Sequence, residues 1–267
     1  MSISALTAAQ ISTLSASVIA QTTTTDLSSL SSTQLAAIST TGISDLASTQ
    51  IGALSTTAVK GLTTSQIPSL GASVLFSAAQ LQQFSQAQFH ALSTTEAGLL
   101  NATDIGQITA AQAGGLIAAQ LNNLAGGAIT NLTSSAVGAI GSSIIAGLNA
   151  TGLNSLSATE VGELGSAQLG GLTSTQLGDT TNTTFISALT STEVGELSTS
   201  QLNALGATNI GALATTIAAG VTSSQVGGLS ATNLAALGQT ELDTLNATQV
   251  KGITASQVGA LGTNVNL

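Results

Sequence analysis

Residues 46–62, LASTQIGALSTTAVKGL, hold the unit from which nearly the whole chain is written. Leu46 opens an octad, L-A-S-T-Q-I-G-A, and Leu54 opens the next, L-S-T-T-A-V-K-G, before Leu62 begins again. The first and sixth places are large aliphatics, the second to fourth are small or hydroxylated, the fifth favours Gln or Glu, and the last two are usually small. Towards the N-terminus the first place is held at Leu6, Leu14, Leu30 and Ile38 and the sixth at Ile11, Ile19, Leu27, Leu35 and Ile43. Thr22, in the polar run QTTTTD, keeps the length of its octad but loses the aliphatic. Towards the C-terminus the register shortens by two residues at Leu75-Phe76 and resumes through Phe76, Leu81, Phe84, Phe89 and Leu92. It then holds to Leu172. One extra residue enters within GDTTNTTFISAL, residues 178–189, and the pattern continues from Leu189 to Leu261. The sequence thus reads as one array over residues 1–267, of roughly thirty octads with two register slips.

A continuous α-helix cannot keep such a pattern on one face, because eight residues at about 100° each displace the stripe by about 80° per repeat. A strand fits poorly too, since spacings of five and three send successive aliphatics to opposite faces. The helix must restart once per octad, and the restart signal is present. Ser or Thr at the second place with Gln or Glu three residues later is a capping box, as in Thr63-Gln66, Ser93-Glu96, Thr173-Gln176, Thr190-Glu193, Ser198-Gln201 and Thr254-Gln257. The expectation is a mainly α solenoid of very short capped helices, with a β-solenoid as the alternative. Isolated helices of this length do not persist in water. Stacking must supply their stability, with both aliphatics of every octad inside and Gly or Ala in the last two places allowing close approach and a sharp turn. Two octads are the shortest closed coil, about sixteen residues per stacked unit, with three or four left open.

Composition agrees and excludes several function classes. Of 267 residues, 43% are hydrophobic but only 5% charged and 1% aromatic, so the core is aliphatic. Eleven acids against two lysines, Lys60 and Lys251, give a net charge of -9 with no basic patch for nucleic acid. Without cysteine there are no disulfides or thiolate metal sites. The opening MSISALTAAQ lacks the basic and apolar regions of a cleavable signal, and no apolar run is long enough to span a membrane.

Runs such as LSTSQLNAL, LTSTEVGEL and ITASQVGAL resemble the octapeptide arrays, broadly L-[ST]-x-x-[QE]-[VIL]-x-x, of very large secreted bacterial surface and adhesin-like proteins. The resemblance covers almost the full chain. It implies a structural role outside the cell or at its surface and brings no catalytic residue with it.

The residues outside the repeat grammar are few. His90 is the sole imidazole, so a Ser-His-Asp triad or a metal set would need distant partners, and no enzyme is expected. Glu160 and Glu163 recur as Glu193 and Glu196; stacked in neighbouring coils, the four carboxylates would suit calcium, whereas singly Glu160 and Glu193 are capping acids. Of the Asn-x-Thr sequons, those at Asn101, Asn149 and Asn246 are capping positions, Asn131 is a turn residue, and Asn182, in the polar insertion, is expected to be exposed. The repeat begins almost at once and runs to Leu261 with only GTNVNL beyond, which suggests either a piece cut from a longer array or open ends that stack copies head to tail. Candidate assembly residues are Leu6 and Leu261 at the ends, Thr22 and Asn182 in the polar phrases, and Phe76, Phe84 and Phe89 in the Phe-rich slip. The functional expectation is a self-assembling extracellular fibre or surface-layer protein. The alternative is a monomeric module binding ice or a polysaccharide.

Overall fold

A computed structural model describes residues 2–71, 76–124, 129–213 and 215–261. Leu75 and the closing GTNVNL lie outside the described residues. Among the described residues there are only helices: α-helices of four to seven residues and short 3-10 turns at Ile3–Ala5, Ala58–Gly61, Ile67–Ser69 and 129–131, with no strand. The helical alternative therefore holds over the β-solenoid.

Each octad follows one plan. At Ser31–Ile38 the cap Ser31 is extended (φ -77°, ψ 163°), its hydroxyl accepts from the Gln34 N–H at 3.2 Å, and the Gln34 side-chain oxygen accepts from the Ser31 N–H at 2.8 Å. The helix Ser32–Ala36 then closes with a tightened turn in which Ile38 N–H donates to Leu35 C=O at 3.2 Å. Sixth-place residues such as Leu35, Ile43 and Ile51 are fully buried, and first-place residues such as Leu30, Ile38 and Leu46 are buried at the corners. Aliphatics at both places line a core without a gap, and burying each such side chain stabilises by about 1.5–3 kcal/mol.

The chain divides into two compact units, Met1–Ile140 and Gly141–Leu267. Within each, a helix packs on the third helix after it, so a coil has three octads. In the first unit Ala16–Ala20 packs on Thr40–Ser44, Thr24–Ser28 on Ser48–Gly52, and Ala110–Ala113 on Ser134–Gly138. In the second, Ser174–Gly178 packs on Thr199–Ala204 and Ser191–Glu196 on Thr215–Gly220. Of the coils left open by the sequence, the three-octad one is found, with about twenty-four residues per turn in place of the minimal sixteen. The octad fixes where the chain turns. How far it turns is set by the extended cap between helices, and three such corners, not two, close the ring.

The glycines serve the expected close approach but not the expected sharp turn. Among the described residues only Gly206 (φ 69°) and Gly238 (φ 80°) have positive φ, both at second places where the cap hydroxyl is missing. Other corners turn on extended caps. Eighth-place glycines instead admit a backbone: a Cβ on Gly220 would lie 2.2 Å from the Ser191 carbonyl oxygen of the helix on which it packs. Gly220→Ala is therefore expected to destabilise the protein by about 1–3 kcal/mol, despite alanine's better helix propensity. Gly52→Ala, where a Cβ meets nothing within 4 Å, should be neutral or stabilising by up to about 1 kcal/mol. Paired urea titrations check the contrast, and equal effects would refute the close-approach reading.

Candidate functional site

A helix of five residues leaves nearly all its backbone donors and acceptors without helical partners. The fifth-place glutamine supplies two sets of them at once. In Ala110–Ala113, Gln112 accepts through its side-chain oxygen from the Thr109 N–H at 3.0 Å. Its amide nitrogen donates to the carbonyls of Leu81 at 3.0 Å and Phe84 at 2.8 Å, in the coil before. The same staple recurs at Gln66 (to Leu35 and Ile38), Gln80 (to Ile51 and Leu54) and Gln88 (to Val59 and Leu62) in the first unit. In the second it recurs at Gln176 (to Ile145 and Leu148), Gln225 (to Val194 and Leu197), Gln249 (to Ala218 and Val221) and Gln257 (to Val226 and Leu229). One side chain caps its own helix and ties it to the coil beneath.

This second role was not legible in the capping-box pattern, although a signal for it exists. Gln persists where the cap hydroxyl does not: Ala47 N–H still donates to Gln50 at 2.7 Å, and Ile117 N–H to Gln120 at 2.8 Å. A residue retained after its capping partner is gone has another task.

Buried acids stand in the staple place at Glu96, Asp104, Glu160 and Glu193. They keep the capping half: Ser93, Ser157 and Thr190 N–H groups each donate to the following glutamate at 2.7 Å, and Asn101 N–H to Asp104 at 3.1 Å. The second carboxylate oxygens of Glu96 and Glu160 are buried without a partner. Glu163 and Glu196 are exposed. The expected calcium set is not assembled, because three octads per coil put the glutamates on different sides. Ser191–Glu196, which carries Glu193, packs on Ser166–Leu169, while Ala158–Gly162, which carries Glu160, meets Thr183–Ala188. Among the described residues no group of three or more His, Asp or Glu could hold a metal ion.

The other candidates are placed as follows. Phe76, Phe84 and Phe89 are buried and stack edge to face, with ring centroids 4.8 Å apart for Phe76–Phe84 and 5.9 Å for Phe84–Phe89. They form an aromatic core layer rather than a contact surface. His90 is exposed, its Nδ1 lies 3.1 Å from the Gly115 carbonyl, and that acceptor makes Nδ1 the protonated nitrogen. Asn182 is 1% exposed, which corrects the expectation that it faces solvent. Its amide donates to the Gln176 carbonyl at 2.7 Å, so Asn182 itself is plugged into the core while Thr180, Thr181, Thr183 and Thr184 stay exposed, and the sequon is closed to glycosylation in the folded state. Beside it, half-buried Asp179 accepts from the N–H and hydroxyl of Thr181, which hold its carboxyl below the usual range.

Thr22 is buried at its corner and donates to the Val18 carbonyl at 3.2 Å, so a satisfied hydroxyl replaces the missing aliphatic. Together with Ser2, Ile3, Val18 and Asp26 it lines a depression of about 440 Å³ on the first coil. Leu6 is half-buried in that coil, and its carbonyl accepts from Gln34 at 2.7 Å. Leu261 is buried at the end of Ala255–Leu261.

No protein-family model matches the chain, and no curated protein matches it. The site is thus described by its own geometry, as a repeated inter-coil joint. Among the described residues no helix is long and apolar enough to cross a membrane.

Proposed function

We propose that the protein is a structural repeat protein of the cell surface or extracellular space that polymerises head to tail with copies of itself. The observation that supports this is a pair of faces built like the two halves of the internal joint. On the first coil the fifth-place residues are Gln10, Val18 and Asp26. Gln10 is exposed; its side-chain oxygen caps Thr7, and its amide nitrogen reaches no carbonyl, unlike that of Gln112 or Gln176. Val18 beside it is 46% exposed. On the last coil, no side-chain amide among the described residues reaches the carbonyls of Leu242, Leu245, Val250 or Ile253, the places that staples occupy lower down. Val250 and Val258 there are 37% and 48% exposed.

The Gln10 amide and the uncovered carbonyls are complementary parts of the same joint, and a heterologous contact of that kind propagates unless its rotation closes a ring. The joint also requires no charge complementarity, which suits a chain with so few charged residues. The surface location rests on the octapeptide resemblance.

Negative-stain electron microscopy and sedimentation of the purified chain test the proposal. Filaments are expected. Val18→Asp, an exposed substitution that leaves the core intact, should raise the concentration needed for assembly by at least about tenfold. A chain that stays monomeric at high concentration would overturn the proposal and bring forward ice or polysaccharide binding, read by thermal hysteresis and glycan retention.

A further inference from the structure

Glu96 occupies the staple place in the helix Thr94–Gly98 without the atom that makes a staple. Its Oε2 accepts from the Ser93 N–H at 2.7 Å, and its own N–H donates to the Ser93 hydroxyl at 3.1 Å, so the cap is intact. Its Oε1 is buried and has no partner, although the residue is only 5% exposed. In the preceding octads Gln80 and Gln88 hold an amide nitrogen at this place, each donating to carbonyls 29 and 26 residues earlier. By that spacing the carbonyls beneath Glu96 are those of Ile67 and Leu70.

An ionised carboxylate can only accept, and so can a carbonyl. Ionised Glu96 therefore sets acceptor against acceptor in a buried joint, a costly arrangement. A proton on Oε1 turns the same side chain into a glutamine equivalent, with one oxygen accepting from the cap and the other donating to the coil before. No larger cation serves as well, because a site that spans one amide hydrogen bond has no room for an ion and its ligand shell. We infer that Glu96 is a proton-operated staple, open when ionised and closed when protonated, so that acidification tightens the coil joint at this level.

The surroundings leave the proton as the controlling charge. Helix Ala118–Leu121, which packs on Thr94–Gly98, carries no titratable side chain, and neither does the stretch Ile67–Leu70. Along the chain the nearest are His90, bonded to Gly115, and Asp104, bonded to Asn101. Burial raises the Glu96 carboxyl above its ordinary value of 4.5, against the opposing bonds from Ser93. The sign follows. A carboxyl whose folded value is raised adds stability that is fully present below the unfolded value and is lost as pH rises through the folded one. Glu160, whose Oε1 is likewise buried and unpartnered, repeats the arrangement in the second unit.

Unfolding of the full chain by urea, compared between wild type and Glu96→Gln, tests this. At about pH 7.5 the variant's unfolding constant should be lower by roughly three- to tenfold, and at about pH 4 the two proteins should converge. A gap of equal size at both pH values, or a variant weaker at neutral pH, would overturn the inference. The carboxyl carbon shift of Glu96 in the folded wild-type protein reads the same proton directly. Its midpoint is expected above 4.5, and one at or below 4.5 would equally overturn the inference.

Discussion

Replacing Gln120 by leucine is expected to destabilise the protein by on the order of 3–5 kcal/mol, more than the loss of any ordinary surface hydrogen bond. Gln120 is fully buried. Its oxygen accepts from the Ile117 N–H at 2.8 Å, and its amide donates to the carbonyls of Phe89 at 2.9 Å and Leu92 at 2.6 Å. Leucine fills a similar volume but leaves one buried donor without an acceptor and removes a donor from two buried carbonyls. Each orphaned group costs about 1–3 kcal/mol, partly relieved at Phe89, whose carbonyl also accepts from the Leu92 N–H at 3.2 Å. The control is Gln10→Leu, which changes the same residue type at the same place of the octad. Gln10 is exposed and ties no earlier coil, so its loss should cost about 1 kcal/mol or less, the worth of one cap. Urea or guanidinium titration of both variants measures the difference. Equal costs would mean that the glutamines act only as caps.

Phe89→Ala is the second large effect, expected at about 3–5 kcal/mol. Phe89 is fully buried at a sixth place, in contact with Phe84, which in turn meets Phe76. Removing the ring opens a cavity in a layer whose other two aromatic members are fixed by the same contacts, and short helices have little freedom to collapse into it. The Phe89 carbonyl also receives Gln120, so slack in this layer weakens a staple as well. Phe89→Leu should recover most of the loss, because the other sixth places are aliphatic. Thermal or denaturant unfolding of the pair checks both statements; a loss below about 1 kcal/mol for alanine would place the aromatic layer outside the core.

Much of this was readable from the residues, and the parts that were not share a cause. The period of eight, the restart of the helix and the burial of first and sixth places follow from local rules about caps and faces. Thr63-Gln66 and Thr254-Gln257 form the boxes that their spacing announces. What local rules do not carry is the relation between octads. The number of octads per coil depends on the angle at caps such as Ser39 (φ -63°, ψ 154°), a torsion that serine does not dictate. Once the coil has three sides, Glu160 and Glu193 part company, and Gln112 finds Leu81 and Phe84. Composition misleads in the same way at two places. Asn182 sits in a polar phrase yet is buried because its amide finds the Gln176 carbonyl. The Phe-rich slip looks like a break in the pattern, yet its rings fill one core layer.

The three-octad coil is the claim on which the staples, the separated glutamates and the paired end faces all depend. The chain has no cysteine, so pairs can be introduced without background. Thr25 and Thr49 are exposed at matching places of the stacked helices Thr24–Ser28 and Ser48–Gly52, 24 residues apart. Thr41, also exposed, lies 16 residues from Thr25 in Thr40–Ser44, which packs instead on Ala16–Ala20. A short bis-maleimide applied to dilute folded protein should link Thr25→Cys to Thr49→Cys within one chain and leave Thr25→Cys with Thr41→Cys unlinked. Efficient linking of the second pair in place of the first would contradict the three-sided coil and, with it, the partner of every staple.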